Sequence, residues 1–146
     1  QHVAAMAPER ITRLVLACTS SGGKGKASYP LHDRPDEATR LAIMDTRPEV
    51  QEFMRQALAA VALEEPREPG YARQLEARRL HDVYDRLPLI TAATLVAAGR
   101  YDGIAPLANS EAIAAQIPGA VREGFDGGHV FFMTDPRAWT VTMAFL

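Results

Sequence analysis

The chain has 146 residues, 47% hydrophobic and 23% charged, enough apolar material for one ordinary domain with a buried core. A formal net charge of −2 argues against a nucleic-acid surface, and no apolar run approaches the ~20 residues of a membrane span. The single cysteine, Cys18, excludes an internal disulfide and makes a reducing compartment, the cytoplasm, the expected location.

Residues 1–7 (QHVAAMA) are good helix formers ended by Pro8, and seven residues are too few to nucleate a helix alone. They read as the last turns of a longer helix, so the chain is expected to begin inside an element. Residues 11–17 (ITRLVLA) end in a wholly apolar run, the pattern of a strand buried on both faces. Glycines, serines and prolines make residues 18–35 a loop. Helical patterning then runs to about residue 86. Asp36 is the expected N-cap of a first helix, with Leu41 and Met44 on one side. Thr46-Arg47-Pro48-Glu49 opens a second, in which Val50, Phe53, Met54, Ala57, Leu58 and Val61 recur at i, i+3, i+4 spacing. Residues 64–70, with Pro66, Pro69 and Gly70, are expected to break it, and residues 71–82 to form a third helix. The interleaved charges at Arg73, Arg78 and Arg79 read as a solvated face.

Strand and helix then alternate. Residues 93–98 (ATLVAA) are a second buried strand, 99–106 a turn-rich loop, 107–117 a helix stopped by Pro118, and 120–125 (AVREGF) a strand suited to a sheet edge. After the tight loop Asp126-Gly127-Gly128-His129, Asp135 and Pro136 signal a helix start, and the last helix carries Trp139, Met143 and Leu146 as an apolar stripe. This order predicts an α/β chain with a parallel sheet and right-handed crossovers.

Ligands of open α/β sheets bind beyond the carboxyl ends of the strands. Asp102 follows the second apolar strand and His129 the third. Their loops bring a carboxylate and an imidazole to one rim, where the carboxylate would orient the ring and stabilise its charged form. Each residue alone has a plain alternative, Asp102 as a turn former and His129 as a solvent-facing loop residue. Their order on successive strand ends favours the catalytic reading.

The segments TLVAAGRYDGIAP and GFDGGHVFFMTDP resemble the acid loop and histidine loop of the α/β-hydrolase superfamily. Gly99, Asp102 and Pro106 match a G-x-x-D-x-x-x-P pattern, and His129 a G-G-H pattern. The opening QHVAAMAPERITRLVLACTSSGG is similar to the stretch from the helix behind the nucleophile into the next strand. The resemblance covers nearly the whole chain. It implies core segments at residues 1–23 and 89–146 around a helical cap or lid at 24–88. It also implies a hydrolase of small esters or lactones, with Asp102 and His129 as catalytic residues. Ile104, Val130 and Phe131 are expected to touch substrate.

The departure from that pattern is the nucleophile. It should sit on a G-x-S-x-G elbow ahead of the acid and histidine, and no such elbow occurs. Ser20 and Ser21 follow a strand but lack the flanking glycines. The elbow is expected upstream of Gln1, leaving the chain alone inactive and the first strand short of its neighbour. A missing N-terminal half, or a second copy of the chain, is the expected cover for that edge. No metal or organic cofactor is implied, and an epoxide hydrolase, a cofactor-free haloperoxidase or a non-enzymatic binding module with a degenerate site are the alternatives. Cys18 is expected to be structural, since the resemblance places no nucleophile there. His32-Asp33 and His81-Asp82 read as surface or cap packing in preference to metal ligands. Met44, Phe53, Met54, Tyr71 and Tyr84 read as cap core in preference to pocket lining.

Overall fold

The computed structural model describes residues 1–30, 36–59 and 68–146. Helix α1 (His2–Met6) leads through a 3-10 turn at Pro8–Arg10 into strand β1 (Arg13–Ala17). Three helices follow, α2 (Glu37–Met44), α3 (Pro48–Ala59) and α4 (Glu68–Arg79), then a 3-10 turn at Tyr84–Leu89. Strand β2 (Ala93–Gly99), helix α5 (Leu107–Gln116), strand β3 (Val121–Phe125) and helix α6 (Arg137–Phe145) complete the order.

The three strands form one parallel sheet in the order β1-β2-β3, as the strand–helix alternation requires. Leu16 lies opposite Val96, and Ala97 opposite Glu123. Because successive side chains point to opposite faces, the sheet feeds two cores. Leu16 and Val96 join Ala4, Leu87, Ile90 and Ile113 on one face, while Ala97 and Phe125 join Phe131 and Ala138 on the other. The Phe125 and Phe131 rings stack with centroids 4.7 Å apart. Every strand ends at the same rim, so the loops after β1, β2 and β3 converge there.

Several expectations change. β1 reads in the sequence as a strand of the doubly buried kind that is short of a neighbour, and only Leu16 of its five residues is buried, whereas six of the seven in β2 are. The difference is position, since β2 has a strand on each side and β1 is an edge among the described residues. α4 begins at Glu68, three residues ahead of the expected start, because a proline such as Pro69 is tolerated in a first turn whose N–H groups have no intrahelical partner. In α2, Asp36 caps as expected, accepting from Thr39 N at 2.8 Å, but Leu41 and Ile43 are the buried pair and Met44 is half-buried. The apolar stripe of α6 faces outward. Trp139, Met143 and Leu146 are 60, 62 and 58% exposed, and the helix docks through Ala138 and Thr142. Asp135 Oδ1 accepts from Arg137 N at 2.9 Å and Pro136 already has helical dihedrals, so the expected start stands within a residue. Among the described residues no helix is long and apolar enough to cross a membrane.

Candidate active site

The β2–α5 loop presents Asp102 and the β3–α6 loop presents His129. His129 Nδ1 lies 2.9 Å from Asp102 Oδ2. The other carboxylate oxygen, Oδ1, accepts from the backbone N–H groups of Ile104 at 2.8 Å and Ala105 at 2.9 Å. Asp102 is buried and its carboxylate is thus held at both ends, while the imidazole keeps about a third of its surface. A carboxylate oxygen accepts, so the donor in this contact is Nδ1–H, and Nε2 is the ring nitrogen not engaged by Asp102. His129 also lines a cavity of about 560 Å³, with Cys18, Ser20, Ile104 and Ala105 among its walls.

Close backbone packing sets this geometry. A Cβ on Gly99 would collide with the Gly128 carbonyl, and one on Gly128 with the Met44 carbonyl. The loops touch each other and the end of α2 at distances only glycine allows. The α2 end was not anticipated as part of the site, yet it binds both loops. Gly103 N donates to Ile43 O at 2.9 Å, and His129 N donates to Met44 O at 2.6 Å. Just beyond, the fully buried Asp45 carboxylate receives Arg47 Nε at 3.0 Å and Nη2 at 2.9 Å. The same guanidinium reaches Asp126 at 3.2 Å and lies 4.0 Å from the Tyr101 ring centroid. Arg47 therefore ties the end of α2 to both loops. Its only sequence signal is the local Asp-Thr-Arg-Pro turn, which does not reveal the distant partners.

Cys18 stands beside the pair. Its donor atom, a carboxylate oxygen of Asp102 and a ring nitrogen of His129 lie within 4.8 Å of one another, the one cluster of metal-ligand type among the described residues. The thiol is pushed up to about 12, first by burial and then by the charge of Asp102, so it is neutral at physiological pH. That disfavours both thiolate ligation and a thiolate nucleophile.

Of the residues expected to touch substrate, Ile104 shares the cavity with His129 and Val130 is half-buried beside it in sequence. Phe131 is a correction. It is fully buried between Phe125 and Phe132 and has no surface to offer a ligand. Met54 and Tyr84 pack in the interior or against it, while Phe53 is mostly exposed. His81 Nε2 meets Ser20 O at 3.0 Å and its Nδ1 meets His2 Nε2 at 3.1 Å, so both ring nitrogens have protein partners. His32-Asp33 and Val61 lie outside the described residues.

A parallel sheet covered on both faces, with an acid after one strand and a histidine after the next at a shared rim, is the C-terminal portion of an α/β-hydrolase fold. Solved structures bear this out. A hydrolase from Pseudomonas aeruginosa PA01 is 28% identical with a TM-score of 0.72, over 99% of this chain and 58% of that one. The enol-lactonase from Burkholderia xenovorans LB400 is 24% identical with a TM-score of 0.79, over 97% of this chain and 58% of its own. An N-acyl homoserine lactone degrading enzyme is 22% identical with a TM-score of 0.67, over 99% of this chain and 63% of its own. The chain thus spans about 58% of the length of the first two of these structures. No family model matches the sequence, and no curated protein does.

Proposed function

We propose that this chain supplies the acid and the base of a Ser-His-Asp hydrolase acting on a small ester or lactone, with the serine contributed by sequence outside these 146 residues. The observation that carries the reading is the bond from His129 Nδ1 to a carboxylate whose other oxygen is fixed by two backbone donors. In the reaction, His129 Nε2 removes the serine proton as the serine oxygen bonds to the carbonyl carbon and the C=O electron pair moves to oxygen. The tetrahedral species collapses, the C–O bond to the leaving group breaks, and the imidazolium returns its proton to that alkoxide. Water, deprotonated by the same Nε2, then releases the acid from the serine ester. Asp102 holds the tautomer throughout. The names of two neighbours, an enol-lactonase and a lactone-degrading enzyme, support the choice of substrate.

In this reading the helices between β1 and β2 form the cap. The half-exposed edge of β1 and the outward stripe of α6 are covered by the N-terminal portion of the fold. The test is ester turnover with 4-nitrophenyl acetate. The 146-residue chain alone is expected to show none. Joined to a strand–elbow–helix segment that supplies the serine, it is expected to hydrolyse the ester and to lose about 10⁴-fold or more when His129 becomes Ala. Turnover by the isolated chain that vanishes in His129→Ala would place the nucleophile within these residues and refute the proposal.

A further inference from the structure

Beside the cavity that holds His129 lies a second one of about 370 Å³, walled by the glycine-rich loop after β1 and by the end of α4. The two share Ser20, Ser28, Arg78 and His81. Among the described residues no carboxylate lines either one, although the chain as a whole carries 18 acidic residues against 16 lysines and arginines. Lys26, Arg78 and Arg79 line the second cavity. Arg79 is committed to Glu76 through two bonds of 2.8 Å, and neighbouring Lys24 to Asp85 at 2.7 Å. Lys26 and Arg78 have no carboxylate partner among the described residues. Arg78 Nη2 donates to Tyr29 O at 3.0 Å, which takes one of five N–H groups and fixes the guanidinium where the cavities meet. The Ser28 hydroxyl, on the wall common to both, is buried without a hydrogen-bond partner among the described residues. A buried donor left unmatched beside a cation with no carboxylate partner among the described residues calls for an acceptor.

The geometry points to a carboxylate-binding subsite. Resting on the hydrolase reading, the inference is that the ester or lactone also carries a free carboxylate, held by Arg78 and Ser28 while the scissile bond faces His129. A guanidinium fork matches two carboxylate oxygens, and one serine hydroxyl adds a third donor. A carboxylate suits this site better than a phosphate dianion, which would draw on more charge than one guanidinium at the junction supplies. Lys26, farther along the cleft, adds attraction that salt screens.

The test is calorimetric binding to the 146-residue chain of monomethyl glutarate, an ester with one carboxylate, against dimethyl glutarate, its neutral counterpart. The half-ester is expected to bind about tenfold tighter or more, and Arg78→Met to remove that preference. Ser28→Ala is expected to weaken the half-ester severalfold with the diester unchanged. Lys24→Met, a cation outside both cavities and already paired with Asp85, is expected to change neither by more than about twofold. Arg78 lies at an exposed helix end, so its substitution is not expected to disturb the fold, and Ser28→Ala gives an independent reading if it does. Equal affinity for the two esters, or a preference that survives Arg78→Met, overturns the subsite. Inorganic phosphate binding more tightly than the half-ester overturns the assignment to a carboxylate. Binding is read without turnover, so failure of the ester-hydrolysis assay leaves this measurement standing, and failure here leaves the hydrolase reading intact.

Discussion

Replacing Asp102 separates its structural work from its electronic work. The carboxylate accepts three hydrogen bonds, from Ile104 N, Ala105 N and His129 Nδ1. Asp102→Ala removes every acceptor and leaves the Ala105 N–H buried without a partner, the Ile104 N–H partly so. At about 1–3 kcal/mol for a buried unsatisfied group, discounted for the donors water can reach, the loss is about 2–4 kcal/mol. With a urea dependence of about 2 kcal/mol per molar, the midpoint falls by about 1–2 M. Asp102→Asn is nearly isosteric. Its amide oxygen can keep both backbone donors, so the expected loss is about 1 kcal/mol, the difference between charge-assisted and neutral bonding. Its NH₂ then points at His129 and donates. Nδ1 must accept, and the ring proton moves to Nε2, the atom the reaction needs bare. Urea melts followed by fluorescence measure the first effect, and imidazole ¹⁵N shifts read the second directly. If Asn destabilises as much as Ala, or if the proton stays on Nδ1 in the Asn variant, the account of Asp102 given above is wrong.

Arg47→Met removes the partner of the fully buried Asp45 and the tie to Asp126. It is expected to cost about 3 kcal/mol and to speed amide exchange at His129, whose N–H is bonded to Met44 O; exchange at His129 no faster than in the parent chain would show that the strut does not hold the histidine loop. Cys18, with its thiol near 12 in the fold and near 9 when unfolded, should react with iodoacetamide at pH 8 about a thousandfold more slowly in the native chain than in denaturant. The sign for stability follows from the same shift. Above pH 9 the unfolded thiol ionises while the folded one stays neutral, so stability present below pH 9 is lost as pH climbs toward 12. Cys18→Ala should flatten that part of a pH melt, and an unchanged slope would count against the burial argument.

The fold class was legible because residues 93–98 form an apolar run bounded by turn residues, which in a chain of alternating strands and helices reads as a central parallel strand. The encounter of Asp102 with His129 was legible for a related reason. Parallel strands deliver their following loops to one rim, so strand order alone brings the two side chains near each other. Phe131 misled because its position two residues past His129 says nothing about direction. The 3-10 turn at Phe131–Met133 swings that ring under Phe125, away from the rim. The direction of the α6 stripe was not legible, because i, i+4, i+7 spacing defines a face without saying which side of the helix meets the sheet. The small residues Ala138 and Thr142 allow the closer approach and take the buried side.

The end of α2 shows why the rest of the site stayed hidden. It meets the acid and histidine loops through the carbonyls of Ile43 and Met44, groups that every residue possesses and no pattern can flag. What the sequence does record is the space those carbonyls require, as Gly103 and Gly128, where a side chain would strike Ile43 or Met44. Read in a single loop, such a glycine suggests a turn. Read against the packing, it marks a backbone approach from an element more than 50 residues away. The position of the imidazole relative to Asp102 therefore depends on α2 as much as on the loops that carry the two side chains. Loosening α2 should move His129 before it unfolds the sheet, because the ladder from β1 to β3 shares none of these bonds.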